Sequence, residues 1–391
     1  MDKLIGLSLF SNIGVAEAYL EDLNIEIAIA NEKDEKRARF YQHVYPNTKM
    51  IMGDITNEMI YSNVINKSKE VGINFIIATP PCQGMSTAGK QDPNDKRNKL
   101  VTYAIRAIKD LNPAFVLLEN VPQQLKTKIK YNNKETLIPE YIKEELGKYY
   151  KINDKIVKSA EHGIAQSRDR SIYLMVRKDV DLSWDFPKPQ DTVVTLRDVI
   201  GSLPDIDPLI QEYRKDEKKL LEFFPKFYEK KIKGEKISKW HRPPIHKLRH
   251  VTIMRYTPEG KSAFENQVYY PKKNNGERIL GHNNTYRRQW WDKPAYTITT
   301  YNGAICSYDN VHPGNPIGMD ENGDTIYSNP RVLTIFELLI VMSLPIDWNI
   351  PDWAEESLIR HSIGEGIPPL LVKKIFNELI KNIKLTETKD E

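Results

Sequence analysis

The chain has 391 residues, 40% of them hydrophobic, enough for a substantial core and in keeping with two domains. No apolar run is long enough to span a membrane, and two cysteines without Cys/His pairs at ligand spacing exclude a disulfide framework and a structural zinc site. The net charge of +4 hides an asymmetry: residues 211–291 hold 20 Lys+Arg against 9 Asp+Glu, and the remainder holds 37 against 44, so the middle of the chain is expected to meet a polyanion.

The opening "MDKLIGLSLF" lacks the basic start and small-residue cleavage site of a signal peptide, so a cytoplasmic protein is expected. "LIGLSLF" (4–10), "IEIAIA" (25–30), "INFIIAT" (73–79), "AFVLLE" (114–119) and "SIYLMV" (171–176) read as buried strands, with "MIMGDIT" (50–56) as a further strand-like piece. Between them, "IGVAEAYLEDL" (13–23) and "NKLVTYAIRAIKDL" (98–111) carry apolar residues at helical spacing. This alternation predicts an α/β domain with a doubly wound, mostly parallel sheet. From about 189 to 330 the periodicity fades and Pro, Gly and Asn become frequent, which predicts a second, smaller, irregular domain. Basic and aromatic residues mingle there, as in "KWHRPPIHKLRH" (239–250) and "NNTYRRQWWDKP" (283–294), a mixture suited to phosphates and stacked bases. "VLTIFELLIVMSL" (332–344) reads as a buried helix, and "IPPLLVKKIFNELIKNI" (367–383) as a closing one.

Ligands of open parallel sheets bind outside the carboxyl ends of the strands. That edge gathers "FSNIG" (10–14), Glu32, Asp54, Cys82 and Glu119. A carboxylate ending the second strand suits ribose hydroxyls, yet "FSNIG" is no dinucleotide fingerprint and has no phosphate cradle, which disfavours NAD. Pro80 and Pro81 remove two backbone donors and end their strand, leaving Cys82 at its lip as a candidate nucleophile with an acid partner on the neighbouring strand.

In order along nearly the whole chain, "LFSNIG", "NE", "GDI", "TPPCQGMS", "ENVP", "QSRDRSIYL", "RVLTIFELLIVMSLP" and "SIGEGIPPLL" closely resemble the motifs of the cytosine-5 DNA methyltransferases, the bacterial modification methylases in particular. The resemblance implies a Rossmann-like, S-adenosylmethionine-dependent methyltransferase domain over 1–188, a target-recognition domain with hinge over 189–346, and C-terminal helices over 347–391 that return to the catalytic domain. It implies that Cys82 adds to carbon 6 of a flipped-out cytosine, that Glu119 serves ring nitrogen 3, and that Arg168 and Arg170 reach the exocyclic oxygen and the adjacent phosphate. The polar segment 83–98 would close over the flipped nucleotide. Phe10, Gly14, Glu32, Asp54, Ile55, Pro80, Leu100 and Glu365 would surround the S-adenosylmethionine. Gln83, Ser86, Arg97, Gln166, Arg287, Arg288, Thr297 and Arg331 would contact DNA, and no metal is required.

The sequence departs from the family pattern where Asn12 and Val15 replace glycines and where "GEG" (364–366) replaces Gly-Asn-Ala. Asn12 tolerates positive φ, and the Glu365 carboxylate, though it loses an amide donor, could suit the ammonium of the cofactor. The implied partner is duplex DNA, met by a monomer in the cytoplasm at the nucleoid, with a cognate restriction endonuclease acting separately. Two rival readings are a transfer-RNA cytosine-5 methyltransferase on the same fold and a catalytically inactive DNA-binding protein. The long basic middle disfavours the first, and intact Cys82, Glu119 and paired arginines disfavour the second.

Overall fold

A computed structural model describes residues 3–81, 99–132, 134–273 and 275–390. Cys82, Gln83, Ser86, Arg97 and the expected closing segment therefore lie outside the described residues.

The oily runs become the centre of one sheet: β1 (Leu4–Leu9), β2 (Ile25–Glu32), β3 (Lys49–Met52), β4 (Phe75–Ala78) and β5 (Phe115–Asn120). A short hairpin of β6 (Lys128–Tyr131) and β7 (Lys134–Leu137) stands apart, and β8 (Tyr150–Lys158) and β9 (Asp169–Arg177) complete the sheet. The order is β3-β2-β1-β4-β5-β9-β8. Strands β1 to β5 pair in parallel, and β9 runs antiparallel to both β5 and β8. The reversal between β1 and β4 is the switch point at which such sheets open a crevice. Strand β8 has no oily run because it is the edge, and most of "YKINDKIVK" faces water.

Helices α1 (Glu35–Val44), α2 (Glu58–Val71), α3 (Leu100–Leu111) and α4 (Ile138–Leu146) link these strands. Asp34 and Asn57 cap α1 and α2 through their side chains, so both helices start where the strand-end loops finish. The segment 13–23, expected as a helix, is instead a run of turns ending in the 3-10 helix Glu21–Leu23. Gly14 at φ +84 stops an α-helix from starting at Ile13, and the amides of Gly14, Leu20 and Leu23 bond three residues back rather than four.

Beyond β9 come α5 (Leu196–Ile200), α6 (Glu217–Phe223), α7 (Phe227–Ile237) and α8 (Leu248–Arg255). The region from there to residue 330 is mostly irregular. The chain closes with α9 (Ile335–Val341), α10 (Glu356–Glu365) and α11 (Pro369–Asp390). One core lies on the α2–α4 face of the sheet, and a second packs the other face against Leu371, Ile375, Phe376 and Leu379 of α11. A third joins Ile13, Val15 and Phe40 to Leu196, Ile200, Leu339, Ile359 and Ile363, so the segments beyond the sheet are built against the turn that follows β1.

Candidate active site

Glu119 stands one residue before the end of β5 with its side chain only 8% exposed, and Arg170 is the second residue of the neighbouring β9. Antiparallel pairing sets Glu119 against Ile172, and Arg170 Nε comes 2.7 Å from Glu119 Oε1. The N–H does not point along that line, so the contact is an ion pair without hydrogen-bond alignment. Burial pushes the Glu119 carboxyl up, opposed by the Arg170 and Arg168 guanidinium groups. A carboxyl that keeps its proton is the form able to donate to a ring nitrogen.

The next residue fixes this acid relative to the neighbouring strand. Asn120 Nδ2 donates to the Pro80 carbonyl at 2.9 Å, and Asn120 Oδ1 accepts the Val121 N–H. Pro80 stands two positions ahead of Cys82 in the chain, so the end of β5 is fastened to the segment that leads into the cysteine. Sequence reasoning quoted this asparagine within "ENVP" but gave it no role; its burial among apolar strand ends is what required a partner.

The two arginines part company. Arg168 is 1% exposed, with Nη1 on the Ile298 carbonyl and Nη2 on the Gly364 carbonyl, both at 2.7 Å. The expectation that it reaches a base or phosphate is corrected: its two terminal nitrogens join the irregular region and α10 to the sheet, and its Nε is buried with no partner among the described residues. Arg170 is the arginine that meets Glu119.

At the cofactor end, Phe10, Asn12 and Gly14 adopt φ of +59, +53 and +84. A β-carbon on Gly14 would strike the Tyr45 ring at 2.1 Å, while the Tyr45 hydroxyl donates to the Gly14 carbonyl at 2.6 Å. Buried Glu32 accepts the Asn12 and Asp34 amide N–H groups, one on each oxygen, which leaves each oxygen capacity for a further donor such as a ribose hydroxyl. Asn12 Oδ1 is buried with no donor among the described residues. A turn without a phosphate cradle, a buried carboxylate and an unclaimed acceptor fit S-adenosylmethionine. Around them, Asp54 pairs with Lys33 at 2.7 Å, Ile55 and Pro80 are buried, and Leu100 opens α3 half-buried against the core. Glu365 instead faces Arg37 at 2.8 Å.

Three expected DNA contacts are corrected by burial. Gln166 bonds Val341 and Ile298 in the interior. Arg288 donates to the carbonyls of His312, Asn329, Met254 and Ser328. Arg331 pairs with Glu337 at 2.7 Å, with both side chains essentially inaccessible. The family resemblance gives no sign of which polar residues an irregular region turns inward to satisfy its own carbonyls. Arg287 is partly exposed, with its guanidinium 5.0 Å from the Tyr296 ring centre, and Thr297 is exposed with its hydroxyl on the Ser167 carbonyl. Among the described residues no group of His, Cys, Asp and Glu could hold a metal ion, and no helix is long and apolar enough to cross a membrane.

Comparison with known proteins agrees with this geometry. The chain is 42% identical over 382 residues to the Type II methyltransferase M1.HgaI of Avibacterium volantium, covering 96% of this chain and 98% of that protein. It is 25% identical to the Type II methyltransferase M.XorII of Xanthomonas oryzae pv. oryzae, covering 98% and 86% of the two chains. In fold it is similar to the Entamoeba histolytica methyltransferase EhMeth, with a TM-score of 0.60, 16% identity and 98% and 99% of the chains covered. The family model for the C-5 cytosine-specific DNA methylase matches residues 5–381, and the chain belongs to that family.

Proposed function

We propose that the chain is the modification half of a restriction–modification system, methylating carbon 5 of a cytosine turned out of a specific duplex sequence. The observation that carries the catalytic part is the buried Glu119–Arg170 pair at 2.7 Å, fastened through Asn120 to the backbone just ahead of Cys82.

Carbon 5 of cytosine is a poor nucleophile. Addition of the Cys82 thiolate at carbon 6 forms a sulfur–carbon bond and moves the ring electron pair toward carbon 5, while the Glu119 proton at ring nitrogen 3 takes up the developing charge. Arg170, whose Nη1 donates to the Asp169 carbonyl, holds the Glu119 side chain in place and keeps donors for the exocyclic oxygen of the base. S-adenosylmethionine, when bound beside the Phe10–Gly14 turn, supplies the electrophilic methyl group. Loss of the carbon 5 proton to a base re-forms the ring double bond and releases Cys82 as thiolate, so no redox partner is needed.

The basic middle region supports a duplex as substrate. A cleft of about 380 Å³ there is lined by Arg249, His250, Tyr269, Tyr270 and Lys272 among others, and the Arg278 guanidinium lies 4.3 Å from the Tyr270 ring centre. Cations gathered in this way hold the phosphates of a duplex backbone. The enzyme acts as a cytoplasmic monomer, and the endonuclease paired with it works separately.

Duplex DNA with 5-fluorocytosine at the target tests this reading, because fluorine blocks the final proton loss and traps the sulfur adduct. A covalent complex is expected with wild-type protein and S-adenosylmethionine, and none with Cys82→Ala or with transfer RNA. Adduct formation in Cys82→Ala would refute the assigned nucleophile.

A further inference from the structure

The turn after β1 is held by a closed ring of polar contacts. The Asn12 N–H donates to Glu32 Oε2 at 2.9 Å, and the other Glu32 oxygen accepts the Asp34 N–H at 2.8 Å. Asp34 caps α1 by accepting the Arg37 N–H at 3.0 Å. Arg37 Nη1 then reaches Glu365 Oε2 at 2.8 Å, and that same oxygen accepts from Asn12 Nδ2 at 3.3 Å, which closes the ring. His361, one turn earlier on α10, lies 3.1 Å from the second Glu365 oxygen. A further bond runs from Asn12 Nδ2 to the Ser362 carbonyl at 3.1 Å.

This arrangement decides what each end of the Asn12 carboxamide does. Its nitrogen meets two acceptors on α10, so the amide has one favoured orientation, and Oδ1 is left buried without a donor. The charge of Glu365 is already answered by Arg37, which removes the electrostatic reason for it to seek a ligand cation. The next residue acts by volume. A β-carbon on Gly366 would lie 2.7 Å from Val15 Cγ1 and 2.9 Å from Val15 Cβ. Val15 is 2% exposed and stiff at χ1, so it has nowhere to swing.

We propose that Glu365 and Gly366 are positioning residues for the cofactor turn: Glu365 orients Asn12 so that its oxygen is left for a donor on bound S-adenosylmethionine, and Gly366 leaves the volume that Val15 occupies. The proposal rests on the reading of residues 10–14 as the cofactor site. The four residues are the positions at which the sequence departs from its family pattern, and the structure joins them in two pairs, Asn12 with Glu365 and Val15 with Gly366.

The test is calorimetric binding of S-adenosylhomocysteine, which keeps the ammonium group and lacks the transferable methyl, with thermal midpoint and DNA affinity measured alongside. Glu365→Ala and Arg37→Ala are each expected to weaken binding about tenfold, roughly the worth of one charge-assisted hydrogen bond, with the double variant little worse than either. Glu365→Gln, nearly isosteric, guards against a folding defect and should weaken binding less than the Ala change while leaving the thermal midpoint and DNA affinity in place. Gly366→Ala should weaken binding, and Val15→Ala in the same chain should restore it to within a few-fold of wild type, on the order of what relieved overpacking returns. Tighter binding in Arg37→Ala would mean that Glu365 is a direct contact to the ammonium group and would overturn the proposal. So would unchanged binding in Glu365→Ala, or strictly additive Val15 and Gly366 effects. Failure of wild-type protein to bind S-adenosylhomocysteine would instead overturn the assignment of the cofactor site itself.

Discussion

Asn120 donates to the Pro80 carbonyl at 2.9 Å, and that bond extends the tie between β4 and β5 beyond the last pair of their backbone ladder. Asn120→Ala is expected to lower the methylation rate by about 10 to 100-fold, the range over which a misplacement near 1 Å acts. Affinity for S-adenosylhomocysteine should stay within threefold, because the turn after β1 does not depend on Asn120. Single-turnover kinetics next to calorimetry checks both, and an equal loss in rate and affinity would show that the bond serves overall folding instead.

Glu119→Gln tests the raised carboxyl. Burial favours its protonated form, so the wild-type rate should fall as pH rises through the Glu119 pKa. The variant has no proton to lose there. It should be slower by about 100-fold or more, with that alkaline limb gone from its pH–rate profile. An unchanged alkaline limb would assign the titration to another group.

These two residues show how far the sequence alone could be read. Short, largely apolar runs such as "AFVLLE" and "IEIAIA", alternating with helical stretches, read as buried strands, and Glu119 and Glu32 near their ends fall on one edge by topology. The edge strand Tyr150–Lys158 carries no apolar signature because only Tyr150 and Val157 of it are buried, and helical spacing of apolar residues over 13–23 says nothing about Gly14 at φ +84. In the turn after β1, the positive φ of Asn12 is legible from the tolerance of asparagine for that conformation. Least legible were the buried Arg168, Arg288 and Arg331, since a guanidinium that satisfies interior carbonyls reads in sequence like one that grips phosphate.

Arg331 and Arg287 separate those two roles by experiment. Arg331→Met strands the Glu337 carboxylate, which Arg331 and the His312 and His241 rings hold well below the usual range against the opposing effect of burial. A loss of about 3 to 5 kcal/mol in urea unfolding is expected, with no change in the salt dependence of DNA binding by the folded fraction. Arg287→Ala also removes the pairing with Asp309 at 3.6 Å, so it should cost some stability, though less than Arg331→Met because that pair is partly solvated, and should lower the slope of log affinity against log salt by about one. Reversal of the two patterns would return Arg331 to the DNA surface.

Buried Glu17, bonded to Ser8 of β1, is expected to make stability depend on pH. Burial pushes its carboxyl from 4.5 up to about 7, despite the hydrogen bond from Ser8. The folded chain therefore holds a proton that the unfolded chain releases between these two values, so stability falls as pH rises across that window and stays lower above it. Glu17→Gln should abolish the slope and, at pH 8, stabilise the protein by up to about 3 kcal/mol. Urea midpoints at pH 5 and 8 decide the matter; parallel pH dependence in both proteins would rule Glu17 out.

The clamp made by Arg168 bears on how specificity could be exchanged. Ala295 pairs in parallel with Gln166, Ile298 is held by Arg168, and the Asn302 side chain donates to the Arg360 carbonyl. Residues 295–302 are therefore tied mechanically to the sheet and α10 even though the irregular region surrounds them in sequence. A chimera that imports a foreign target preference should splice on either side of this strip and leave it native, since a junction inside it would unseat the scaffold along with the reader.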